Sequence, residues 1–406
     1  MPKRRLYAGR DFRRARNIEE LRLVARRWLP HFVFEYIDSG SEDEVTLRGN
    51  RDAFDSWSFV PQTLRDASSR DASVQWFGRR AALPLIIAPT GYNGMQRRGA
   101  DVALACAAAQ ADIPFTLSTV SNQTLEEVVS ASGARTWLQL YMLRERAVTQ
   151  ALVDRAHHAG CEALVLTVDA VHFGNREWDR RCYRQDMRLD WRNKLNVASH
   201  PRWVWDVLVP NGVPRFANIA PYLPRGVGRV MNNAQYIARQ MEMQLDWNAV
   251  QWLRDVWPGK LIVKGIVSAS DCLSAQRIGV DGIVVSNHGG RQLDGTLASL
   301  HALPEIVHAC ADKLTIFVDS GFRRGTDIVK ALCLGAHGVM IGRPTLYGVA
   351  AGGAEGAAHA LSILSAEIDR TLAQLGCTSL GQLSRRHIVS VHELHDKRAC
   401  LELSHG

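Results

Sequence analysis

A histidine and an arginine stand three residues apart in the stretch SNHGGRQLDG, at 286–295. An imidazole takes and returns a proton near neutral pH, and a guanidinium holds an anion with a planar fork of donors. The two glycines between them let the main chain bend and approach a ligand closely. A tight turn carrying a surface His and Arg fits the same string, so the elements that hold it must decide.

The stretch directly follows one of eight apolar runs that punctuate the chain. They are AALPLIIAPT (81–90), PFTLST (114–119), TWLQLY (136–141), ALVLTVD (163–169), KLIVKGI (260–266), GIVVSN (282–287), TIFVDSG (315–321) and GVMIGRP (338–344). Continuous Val/Ile/Leu strands separated by helix-like segments indicate a parallel sheet buried on both faces. Eight of them predict a (β/α)8 TIM barrel, whose chemistry sits at the C-terminal strand ends.

Polar residues fall at those ends. They are Thr90, Ser118, Gln139 with Tyr141, Thr167 with Asp169, Lys264, Ser286 with His288, Asp319, and Gly342 with Arg343. Any one Ser, Thr or Gln could simply be a satisfied strand end, but eight together describe a mouth that binds something polar. Glycines and arginines after strands seven and eight (DSGFRRG, IGRP) sit where barrels commonly hold a phosphate. No GxGxxG opens a βαβ unit, so a separate nicotinamide domain is unsupported.

The chain has 406 residues and a net charge of +8, unevenly placed. Residues 1–30 carry ten basic and three acidic side chains, and residues 172–232 carry eleven and five. The basicity is local, which argues for a surface feature and against a nucleic-acid-binding fold. Eight scattered cysteines without metal-ligand spacing argue against a disulfide framework or a metal site. The basic N-terminus lacks the apolar stretch of a signal peptide, and no run is long enough to span a membrane.

With these motifs in place the chain resembles the FMN-dependent α-hydroxy-acid dehydrogenase and oxidase family. The resemblance runs from LPHFVFEYIDSGSEDE (29–44) through APTGYNG, TLSTVSN, LQLY, LTVD and VKGI to SNHGGRQLDG and DSGFRRGTDIVKALCLGAHGVMIGRP. HPRW, WLRDVWPGKLIVKG, TLYG and IDRTLAQLGC resemble its mandelate-oxidising branch in particular. The resemblance implies a single domain over 1–406. It has an N-terminal helical segment (1–80), a barrel (81–370), an insertion at about 178–246 within it and a C-terminal tail (371–406).

It also implies roles. His288 would be the base that takes a proton from a 2-hydroxy acid, oriented by Asp169. Arg291 and Arg176 would hold the substrate carboxylate, with Tyr36 beside it and Tyr141 towards the hydroxyl. Lys264 would stabilise negative charge on the reduced cofactor. FMN would contact Ala88, Pro89, Thr90, Ser118, Gln139, Thr167 and Ser286 through its ring, and Asp319, Arg323, Gly342 and Arg343 through its ribityl chain and phosphate.

Where glycolate-oxidising members carry tryptophan this chain has Val120, which leaves room for an aromatic, mandelate-type substrate. L-Lactate remains open, as does a soluble oxidase that uses O2 in place of a membrane quinone. From another class, a non-catalytic phosphate-binding barrel or basic adaptor would need the catalytic residues to be idle. A homo-oligomer, a tetramer by resemblance, is implied.

The insertion mixes Trp191, Trp203, Trp205, Phe216 and Tyr222 with Arg192, Lys194, Arg202, Arg215 and Arg225. That is the composition of a segment lying in a lipid headgroup layer. Residues 190–226 are therefore expected to touch a membrane peripherally, on the cytoplasmic face of the cell membrane. A lid over the site is the alternative, and the two can coexist.

Overall fold

The computed structural model describes residues 5–184, 188–222 and 239–391. Eight strands close a barrel: β1 (Leu85–Ile87), β2 (Phe115–Ser118), β3 (Thr136–Leu140), β4 (Ala163–Thr167), β5 (Lys260–Ile266), β6 (Gly282–Val285), β7 (Thr315–Val318) and β8 (Gly338–Ile341). Each pairs in parallel with its neighbours in chain order, and β8 closes on β1. The expected architecture stands, with strands shorter than the apolar runs because the polar ends peel away as loops.

The period of two along a strand explains the mouth. Ile86, Trp137, Val165, Ile262, Val284, Phe317 and Met340 form one buried cluster inside the barrel. Two residues further along the same strands come Ala88, Gln139, Thr167, Lys264, Ser286, Asp319 and Gly342, on the same inward face but at the open end. Apolar floor and polar mouth are thus successive layers of one alternation.

At the opposite end a hairpin of Val74–Trp76 and Arg79–Ala81 closes the barrel. Trp76 packs edge-on against Phe317 with centroids 5.4 Å apart, and Phe77 lies 6.2 Å from Trp137.

The N-terminal segment is helical only as far as Asp52, in α1 (Ile18–Trp28), α2 (His31–Asp38) and α3 (Val45–Asp52). Asn17 caps α1 through its side chain. Helix α2 buries Phe32, Val33, Phe34 and Ile37. Beyond α3, Trp57–Phe59 pairs with Ile388–Ser390, tying the two ends of the chain together. Of the expected tail, residues 392–406 lie outside the described residues.

The insertion leaves after β4 and returns at the helix Trp247–Val256. Its aromatic residues do not behave as one set. Trp191 and Trp205 are 58 % and 74 % exposed, whereas Trp203 and Phe216 are 1 % and 4 % exposed. The interfacial expectation is therefore corrected for Trp203 and Phe216. Trp203 donates its indole N–H to the Met95 carbonyl at 2.8 Å and stacks edge-on with Phe32, so it is core. Arg225 and residues 223–226 of the expected membrane segment lie outside the described residues. Among the described residues no helix is long and apolar enough to cross a membrane.

Candidate active site

The strand ends enclose a cavity of about 380 Å³. Tyr36, Ala88, Pro89, Thr90, Ser118, Gln139, Tyr141, Thr167, Arg176, Lys264, His288, Arg291, Asp319, Arg323, Gly342 and Arg343 all line it. Of the residues given catalytic, substrate or FMN roles by the resemblance, only Asp169 and Ser286 stand behind the wall, each bonded to a side chain that lines it.

His288 is held from both sides. Its Nδ1 lies 2.9 Å from Oδ1 of Asp169, and its backbone N–H donates to Ser286 Oγ at 3.1 Å. His288, Gly289 and Gly290 have φ of 61°, 68° and 73°, three left-handed residues in a row. A Cβ on Gly290 would come 2.7 Å from the backbone of Leu47. The glycines of SNHGGRQ thus let the loop turn back under α3 while the imidazole faces the cavity.

Burial, above all, lowers the pKa of His288, with Asp169 opposing. The Asp169 carboxyl is destabilised as an anion by burial. The charges of His288 and Lys264 outweigh that and leave its pKa below the usual carboxylate value. An ionised Asp169 accepts a hydrogen bond from Nδ1–H, which leaves Nε2 as the ring nitrogen available to a ligand. Its other oxygen, Oδ2, is buried with no hydrogen-bond partner.

Asp169 fits because residue 265 is glycine. A bulge shifts the β5–β6 register between Lys264 and Ile266. Gly265 has φ of 110°, and a Cβ there would stand 2.7 Å from Cβ and Cγ of Asp169.

Lys264, 4 % exposed, donates to Ser286 Oγ at 2.9 Å and pairs with Asp319 Oδ2 at 3.2 Å. Burial pulls its pKa down, but Asp319 and Asp169 more than offset this, and the ammonium is stabilised. Beside it, Ser118 Oγ donates to Gln139 Oε1 at 3.1 Å, and Gln139 Nε2 donates to Thr167 Oγ1 at 3.0 Å. Above the apolar layer of the barrel, the floor of the cavity thus carries two hydrogen-bonded sets of buried polar groups.

The cationic side gathers on the C-terminal end of α2. Arg291 Nη1 donates to the Ser39 carbonyl at 2.9 Å, and its guanidinium carbon lies 5.2 Å from the centre of the Tyr36 ring. Arg343 donates to the carbonyls of Ile37 (2.8 Å), Gly289 (2.9 Å) and Ser39 (2.9 Å). Burial foremost, then the charges of Arg176 and Arg343, pulls the pKa of Arg291 well down, to about 9. Three cations crowded in low dielectric favour an anionic ligand.

Sequence reasoning passed over Tyr92, Phe173, Asp179 and Phe216 as cavity residues. Tyr92 stood inside the quoted APTGYNG and Asp179 three residues after Arg176, so proximity to motifs was the available signal. Burial raises the Asp179 carboxyl pKa, against the pull of Arg291 and Arg176.

The residues fit FMN on the structure's own terms. Thr90 Oγ1 is buried without a partner at the cavity wall. The floor offers both donors and acceptors to a polar ring edge, and Arg323 and Arg343 stand at the end suited to a phosphate.

The fold and site define a flavin-dependent oxidoreductase barrel, and comparison with known proteins agrees. The chain belongs to the FMN-dependent dehydrogenase family, which it matches over residues 25–390. It is 42 % identical over 369 residues to (S)-mandelate dehydrogenase of Pseudomonas putida, covering 91 % of this chain and 92 % of that protein. It is 39 % identical over 374 residues to L-lactate dehydrogenase of Pectobacterium atrosepticum, covering 92 % and 96 %. The crystal structure of the monotopic membrane protein (S)-mandelate dehydrogenase superposes with a TM-score of 0.88 at 40 % identity, covering 93 % of this chain and all of that one.

Proposed function

We propose that the protein oxidises a 2-hydroxy acid, with a mandelate-type aromatic acid preferred, to the corresponding 2-oxo acid. The observation that carries this is His288, backed by Asp169 and facing the same cavity as Arg176 and Arg291. Arg291, Arg176 and Tyr36 hold the carboxylate, which fixes the 2-carbon relative to His288. His288 Nε2 takes the hydroxyl proton, and Asp169 stabilises the imidazolium that results. Tyr141, fully buried and with its pKa raised chiefly by that burial, stays protonated and donates towards the reacting oxygen. FMN, when bound, supplies the two-electron acceptor. Ala88, Pro89, Thr90, Ser118, Gln139 and Thr167, with Ser286 acting through Lys264, would hold its ring. Asp319, Arg323, Gly342 and Arg343 would hold its ribityl phosphate. Lys264, kept cationic, stabilises negative charge at the ring edge.

The acceptor in this reading is a membrane quinone, reached by peripheral attachment at the cytoplasmic face. What supports it is the exposed row Trp191, Leu195, Trp205, Val209 and Val213 along the insertion, together with the monotopic membrane neighbour. Exposed apolar side chains beside Arg192, Lys194 and Arg202 suit a headgroup layer.

The test is anaerobic mixing of the purified yellow protein with each enantiomer of mandelate and lactate. Bleaching of the flavin by one enantiomer is expected. A flavin-free protein, or a flavin that no 2-hydroxy acid bleaches, would sink the proposal.

A further inference from the structure

Tyr92 combines three observations that its sequence position does not explain. Its backbone is left-handed, with φ of 61°, a conformation that bulky side chains rarely adopt and that marks functional sites when it persists. Two hydrogen bonds hold it there: its N–H donates to the Val120 carbonyl at 3.2 Å, and its carbonyl accepts from Met95 N–H at 3.0 Å. The strained turn throws the ring across the cavity wall to meet Phe216, with centroids 4.5 Å apart and planes at 77°. On its other side the same ring meets Tyr36, 5.8 Å away at 69°.

Phe216 is equally fixed. Ala217 N–H donates to the Ser121 carbonyl at 3.0 Å, Asn122 Nδ2 to the Arg215 carbonyl at 2.8 Å, and Asn218 Nδ2 to Ser121 Oγ at 2.7 Å. These bonds clamp the insertion onto the loop after β2, beside Val120. An aromatic corner therefore faces the cavity, next to the Tyr36 and Arg291 pair.

We propose that Tyr92 is a specificity-determining residue, its ring and that of Phe216 forming an edge-to-face corner that receives the aryl group of the substrate. Rings prefer this geometry, with the positive edge of one towards the face of the other. A short alkyl side chain would leave the corner unfilled. The inference rests on the proposed oxidation of a 2-hydroxy acid and names the structural basis of its aryl preference.

The experiment compares wild type with Tyr92→Leu, Tyr92→Phe and Phe216→Leu as flavin-loaded proteins. Two quantities are read: the ratio of kcat/KM for mandelate over lactate, and the Kd of phenylacetate, which has the aryl and carboxylate groups but no hydroxyl to oxidise. Losing one aromatic contact is expected to lower the ratio and loosen phenylacetate by about two- to twelve-fold. Tyr92→Phe should stay closer to wild type than Tyr92→Leu in both, because it keeps the ring. Mandelate and lactate falling by the same factor, or phenylacetate binding unchanged in both leucine variants, would overturn the assignment. Should wild type oxidise neither acid, the proposed reaction falls, and the phenylacetate titration still decides the role of Tyr92.

Discussion

Arg291 and Arg343 donate to the same atom, the carbonyl oxygen of Ser39, at 2.9 Å each. One lines the proposed carboxylate site and the other the proposed phosphate end, so the C-terminal end of α2 holds both. That end is itself braced. Arg22 donates to both oxygens of Asp38 at 2.7 and 2.6 Å, and Tyr347 Oη donates to Oδ1 at 2.6 Å. Asp38→Asn should therefore raise KM for the acid and quicken flavin loss together. Each charge-assisted bond weakened is worth about 1.5–3 kcal/mol. Steady-state kinetics and flavin release on dilution would check this, and a change in only one of the two would count against the shared brace.

His288→Asn should leave flavin bound and slow its anaerobic bleaching by about 10² to 10⁴, the usual contribution of a general base. Stopped-flow absorbance measures it directly. A rate within tenfold of wild type would remove His288 from the role.

The pH profile follows from the shift at His288. Its pKa is lowered, so the neutral form that accepts a proton is present above that value and lost as pH falls through it. The acidic limb of kcat/KM should therefore lie below about 6.5, the ordinary histidine value. Asp169→Asn removes a negative charge that holds the imidazole pKa up, and should move the limb further to acid while slowing the reaction. A limb that moves to alkali would contradict the electrostatics.

Arg323 and Arg343 should separate. Arg343 is buried and its side chain bonds three carbonyls, whereas Arg323 is half-buried and its guanidinium donates only to the carbonyl of its neighbour Phe322 among the bonds described. Arg343→Met should lower the melting temperature of the flavin-free protein as well as flavin affinity, because buried acceptors left unpaired cost about 1–3 kcal/mol each. Arg323→Met should weaken flavin binding with little change in that melting temperature.

Membrane attachment should respond to point substitutions at exposed rings. Phe216 lines the cavity, so deleting the whole insertion would confuse attachment with substrate binding. Trp191→Ser with Trp205→Ser spares the cavity and should shift the protein towards the soluble fraction. Each large apolar side chain buried is worth about 1.5–3 kcal/mol. Wild type found wholly soluble at low salt would end the membrane reading.

The barrel and most of the site were legible because strand periodicity is local. Once a run such as ALVLTVD is a buried parallel strand, Thr167 must face inward and Asp169 must follow at the mouth. Tyr36 and Arg176 needed the resemblance, since neither a helical tyrosine nor one arginine among many points anywhere by itself. Tyr92 and Phe216 escaped because their meeting joins residues far apart in the chain through a strained turn. Composition described the insertion as interfacial. It could not distinguish Trp203, whose N–H finds the Met95 carbonyl, from Trp205, whose ring faces solvent.

Among the described residues, the aromatic plug formed by the 74–81 hairpin closes one end of the barrel and leaves the cavity to open at the other. Anything that visits the cavity must enter where its predecessor left. An acid delivering two electrons and an acceptor collecting them therefore take turns at a single threshold. Their traffic should give parallel lines in double-reciprocal plots, with each visitor competing against the other at high concentration. Phe216 of the insertion stands at that threshold, so a surface that held the exposed tryptophans would also decide which acceptors can come to the door.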